Sequence, residues 1–142
     1  MTSERALQLI LRVMGSSSLL ALFFIGVPHS WMESIHASLE MCPLPDAPVV
    51  GYLARSTSAF YAMAGGLFWV VSFDLERHRR VLIFLGGAIT ALGFVLLVVD
   101  WAEGLPFWWA IWEGPFVVAF GIVLSWLSRR IAPGPGARPE VP

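Results

Sequence analysis

The sequence contains no lysine and no asparagine, and its only cysteine is Cys42. Without asparagine there is no N-glycosylation acceptor. A lone cysteine cannot close an internal disulfide, and this one fits neither a CxxC nor a zinc-ligand spacing. All nine basic residues are therefore arginine, which reads as the GC-rich codon usage of a bacterial source rather than as selection for bidentate pairing. Charge is scarce too: 13% of the 142 residues are charged, against roughly 25% in a soluble domain. A water-facing surface so poor in charge would aggregate. With 57% hydrophobic residues and a mean hydropathy of +0.73, the shortfall points to lipid. Also missing are a nucleophile with a partner base, a glycine-rich phosphate loop and a haem-ligating histidine pair. No catalytic residue and no cofactor is expected, and the chain reads as non-enzymatic. The arginines fall in short clusters beside apolar runs, a pattern that gives no nucleic-acid surface.

What is present is apolar sequence in lengths that fit a bilayer. A core about 30 Å thick needs roughly 20 apolar residues per helix. Four segments qualify, at about 7–27, 51–73, 81–101 and 107–127. The first resembles a signal peptide, but no small-x-small cleavage site follows Val27 and three more spans come after it, so it reads as a retained helix. The expected fold is all-α: a bundle of four transmembrane helices forming one domain over 1–131. The proline- and glycine-rich segment 132–142 reads as a disordered tail.

Arginine placement sets the expected orientation. Arg5, Arg12, Arg77, Arg79, Arg80, Arg129, Arg130 and Arg138 fall on one side, and Arg55 alone on the other. Cytoplasmic loops are enriched in arginine and lysine, so both termini are expected in the cytoplasm of a bacterial inner membrane. Trp101, Trp108, Trp109 and Trp112 then form an aromatic belt at the outer interface. Gly104 and Pro106 read as a helix stop and a helix start, making the last two helices a tight antiparallel hairpin.

Within "DWAEGLPFWWAIWEGPF" three carboxylates, Asp100, Glu103 and Glu113, stand among those tryptophans. A rise of about 1.5 Å per residue puts Arg55 about 27 Å above Phe73 and Asp100 about 28 Å above Val81. Glu113 lies only about 22 Å above Ser128, below the outer boundary. A carboxylate at that depth must be protonated, hydrated or paired. Arg55 is the only outer cation, so it is expected to pair with Glu113, with Asp100 as second partner. The competing expectation is that helix four begins at Glu113, with Pro115 in its first turn. Otherwise Pro115 sits inside the helix and frees the carbonyl of Ile111. Small residues are expected to mediate helix packing: Gly15 to Ser18, Ser58/Ala62/Gly66, Gly86/Thr90 and Gly121/Ser125.

The outer loop 28–50 carries His29, Glu33, His36 and Glu40 on one helical stripe, with Trp31, Ile35 and Leu39 opposite. That is an amphipathic helix lying on the outer interface. Two readings compete for the stripe. One is a metal site from His29, Glu33 and His36. The other, which is preferred, is a solvated face with Ser30 and Glu33 as a capping box, and no metal. His36 is also placed near the acids, where it would titrate near neutral pH.

The runs "YLARSTSAFYAMAGG" and "EGPFVVAFGIVL", with the turn "SWMESIH", are similar to small four-helix bacterial membrane proteins, in outline those of the DoxX-like group. The resemblance implies four helices and an inner membrane, and it carries over no catalytic residue. The leading functional reading is an accessory or ligand-binding protein with an outer-facing polar pocket of Arg55, Asp100, Glu113 and His36. It would hold a lipid headgroup, a quinone or a small polar solute, and a partner membrane subunit is possible. The alternatives are a proton-coupled carrier using Glu113, with His36 or Asp100 as relay, and a membrane redox or metal enzyme.

Overall fold

The computed structural model describes residues 2–41 and 43–131. Cys42 and the proline-rich tail 132–142 lie outside the described residues. Everything regular is helical, with no strand among the described residues. The elements are α1 (Ser3–Leu19), α2 (Ala21–Ile25), α3 (His29–Ser38), α4 (Pro48–Ser72), α5 (Arg79–Ala102) and α6 (Phe107–Arg129). Between α1 and α2 only Leu20 interrupts, its own backbone in the helical region and its N–H shared between the carbonyls of Ser16 and Ser17.

Among the described residues three helices are long and apolar enough to cross a membrane: Ser3–Ile25, Arg79–Ala102 and Phe107–Arg129. These match the expected spans one, three and four. At 25 residues α4 has the length, but Arg55, Ser56, Thr57 and Ser58 dilute its apolar character. Large apolar side chains stand open along the helices, among them Phe23, Phe60, Phe84, Val98 and Ile122. Exposure on this scale suits lipid and not water.

The chain divides into two compact units, one of residues 1–9 and 71–142, the other of residues 10–70. In the first, α5 and α6 form an antiparallel hairpin. Its turn follows from Gly104, whose φ of +68° is the left-handed conformation that glycine adopts without a Cβ penalty. Leu105 N–H then reaches back to the Asp100 carbonyl at 3.0 Å, a Schellman closure of α5. Pro106 is the N-cap of α6, one position before the helix proper.

The hairpin is held by close backbone approach. A Cβ on Gly86 would lie 2.6 Å from the Ser125 nitrogen and 2.8 Å from the Gly121 carbonyl. One on Gly121 would lie 2.5 Å from the Thr90 nitrogen, and one on Gly93 would lie 2.6 Å from that of Val118. The expected small-residue contacts of α5 and α6 are therefore present. In lipid, such packing replaces a hydrophobic driving force that is absent.

In the second unit α1 meets α4 in the same way, but through Gly65 and not the expected Gly66. A Cβ on Gly65 would lie 2.6 Å from the Gly15 carbonyl, whereas one on Gly66 meets nothing within 4 Å. A strict four-residue repeat from Ala62 overshoots the seam, because 3.6 residues per turn alternates steps of three and four. Arg12 lies over the Trp69 ring at 5.4 Å, and Trp69 Nε1 donates to Ser16 Oγ at 3.2 Å.

Candidate functional site

Asp100 stands out in the first unit. Gly86, Gly93 and Asp100 are seven residues apart, so they share one face of α5 over four turns. The glycine contacts fix the antiparallel register: Gly86 faces Gly121 and Ser125, and Gly93 faces Gly114 and Val118. One further step of seven puts Asp100 opposite Phe107 to Ile111, where Ala110 is also buried. Asp100 is 2% exposed, and its Oδ2 has no hydrogen-bond partner. Such a group forfeits its hydration without compensation, which costs about 1–3 kcal/mol. The depth of Asp100 along the helix axis does not reveal this burial, because helix face decides it here and not depth.

Glu113 lies inside α6, which begins at Phe107. The competing expectation of a helix-start carboxylate is therefore overturned, and Pro115 is an interior proline. Its missing N–H leaves the Ile111 carbonyl without an intrahelical donor. The Glu113 carboxylate, half-buried, accepts a hydrogen bond from Trp109 Nε1. The two residues are an i, i+4 pair, the spacing at which helical side chains meet. Sequence reasoning treated all four tryptophans as a belt and overlooked that this one has a carboxylate one turn away. Trp101 and Trp112 are open, at 68% and 70%, and Glu103 is the exposed C-cap of α5.

The second unit holds the remaining expected residues. Arg55 is exposed and donates to the Val27 carbonyl at 3.5 Å, the long limit of a hydrogen bond. In α3 the N-cap is Pro28 and carries no side-chain cap, so the Ser30–Glu33 capping box does not form. Proline at the start, with its extended ψ of 150°, already supplies the chain direction that a serine cap would give. Ser30 instead lies within the helix, its carbonyl accepting from Ser34 Oγ at 2.9 Å.

His29 consequently stays on the stripe, with Nε2 3.6 Å from Glu33 and 4.0 Å from Asp46. Glu40 leaves it. The helix ends at Ser38, and Glu40 has a φ of 57° while the Met41 N–H bonds the His36 carbonyl at 3.3 Å. Glu40 occupies the left-handed position of a Schellman motif where glycine is usual. His36 is half-buried, its Nδ1 without a hydrogen-bond partner. Among the described residues no three of His, Cys, Asp or Glu gather to hold a metal ion. On the other side of α3, Trp31 and Ile35 are open, at 56% and 44%.

Compared with protein-family models, with curated proteins and with solved structures, the chain matches none.

Proposed function

We propose that the chain is a small multi-pass protein of a bacterial inner membrane, non-enzymatic, that binds a small polar ligand at the outer end of the α5–α6 hairpin. On this reading α4 is a fourth span, α3 lies on the outer interface with Trp31 and Ile35 toward lipid, and both termini are cytoplasmic. The arginine distribution supports the orientation. The open apolar edge of α3 supports its interfacial place. The DoxX-like outline is consistent with the same arrangement.

One observation carries the functional part: Asp100 is buried at the end of a membrane-length helix with Oδ2 unpartnered. Ionisable groups inside spans are expensive and by default functional, and a buried polar atom with no partner calls for one. A ligand presenting an N–H or O–H donor supplies it. A lipid headgroup with an ammonium or hydroxyl group and many small polar solutes present such a donor, a quinone only in its reduced quinol form, while Glu113, held by Trp109, forms the deeper acidic wall. The pairing of Arg55 with Glu113 expected from the sequence is tested by a double-mutant cycle with Arg55→Gln and Glu113→Gln.

Thermal unfolding of the purified protein against short-chain quinols, glycerophosphate headgroups and polar solutes tests the ligand. One class should raise the midpoint of the natural protein and leave Asp100→Asn unmoved. If every shift persists in Asp100→Asn, the site is elsewhere. The same buried acid also supports a proton-coupled carrier with Glu113 as titrating group. That reading requires proton uptake by vesicles carrying the protein, lost in Glu113→Gln.

A further inference from the structure

A cavity of about 290 Å³ opens in the first unit at the other end of α5 from Asp100. It is walled by Glu4, Arg5, Gln8, Ser72, Asp74 and Glu76. Sequence reading passes over it, because its walls come from segments about 65 residues apart and none carries a motif.

The walls are fixed by their own hydrogen bonds. Gln8 Nε2 donates to the Ser72 carbonyl at 3.1 Å, tying the start of α1 to the end of α4. Asp74 Oδ1 accepts the Arg77 N–H at 3.0 Å, and His78 Nδ1 lies 2.7 Å from the Asp74 carbonyl. The turn is therefore set before any ligand arrives. The charges on it form no ion pair with one another. Three carboxylates and one guanidinium, all on exposed residues, thus line one small open cavity.

Position and charge together select a ligand. The apolar helices Ser3–Ile25 and Arg79–Ala102 begin beside this cavity, so it lies at the level of lipid headgroups. Small-molecule pockets start at about 300 Å³, and this one has room for a headgroup and little more. A purely anionic headgroup meets three carboxylates and is disfavoured. A choline carries positive charge but no N–H to give. A primary ammonium gives three donors, and the adjoining phosphodiester matches the planar fork of Arg5.

We infer that this cavity binds an aminoethyl phosphodiester, the headgroup of phosphatidylethanolamine, with Glu4, Asp74 and Glu76 taking the ammonium and Arg5 the phosphate. The inference is independent of the Asp100 site. The test is native mass spectrometry of the full chain from micelles carrying equal phosphatidylethanolamine, phosphatidylcholine and phosphatidylglycerol. Bound phosphatidylethanolamine should exceed each of the others by about fivefold, the size of a partly exposed charge-assisted contact. The double variant Glu4→Gln/Glu76→Gln, at exposed positions, should lose the preference over phosphatidylcholine, and Arg5→Gln should weaken retention of the lipid. Asp100→Asn should change neither. Soluble glycerophosphoethanolamine should displace the lipid, since the headgroup is what is recognised. Equal retention of the three lipids, or a preference that survives both cavity variants, overturns the inference. So does binding of the soluble headgroup with no retained lipid, which would make the source a solute.

Discussion

Gly86 and Gly87 are neighbours in α5 with opposite surroundings, and replacing each by alanine separates packing from helix propensity. At Gly87 a Cβ meets nothing within 4 Å. At Gly86 it would lie 2.6 Å from the Ser125 nitrogen, 0.8 Å short of the 3.4 Å where ordinary contact begins, and 2.8 Å from the Gly121 carbonyl. Both obstacles are backbone atoms, so no rotamer change relieves them and α6 must move away. The gain in helix propensity, about 0.5–1 kcal/mol, is common to both substitutions. Their difference isolates the steric cost, which overpacking data put at about 1–3 kcal/mol. Gly86→Ala should therefore fall below Gly87→Ala by that amount in reversible unfolding in mixed micelles, with Gly87→Ala at or above the natural protein. Equal stabilities would refute the close α5–α6 seam, and with it the register that puts Asp100 opposite Ala110.

The same logic applies to the other unit, where Gly65→Ala should destabilise and Gly66→Ala should not; reversed effects would restore the four-residue repeat read from the sequence. Glu40→Gly should stabilise by about 1 kcal/mol, by relieving a left-handed non-glycine residue, and unchanged unfolding would mean that the end of α3 is already open. Trp109→Phe should cost about 1.5–3 kcal/mol by removing a donor to a carboxylate. Adding Glu113→Gln should recover part of that loss, and strictly additive effects would show that the indole and carboxylate do not interact.

The hairpin was legible because its signals are local. Apolar length gave α5 and α6 to within two residues at each end, 81–101 against Arg79–Ala102 and 107–127 against Phe107–Arg129. Gly104 gave the turn, through the one conformation that favours glycine. The start of α3 was misread because a serine with a glutamate three residues on competes with a proline one residue before the helix, and the proline fixed the entry. The burial of Asp100 was missed for a different reason. Counting residues along an axis measures depth, while burial depends on angle about that axis, and the glycines at 86 and 93 carried that angle. The cavity at Glu4 and Arg5 had no local signal, since it exists only once distant segments meet.

The most direct test of the central claim is the unfolding free energy of Asp100→Leu beside the natural protein. If Asp100 is held unpartnered for a ligand, leucine removes an unsatisfied buried group, and stability should rise by about 1–3 kcal/mol while ligand-dependent stabilisation disappears. A loss of stability of similar size would show that the carboxyl has a partner inside the fold, and the account of Asp100 as a ligand-seeking group would be wrong.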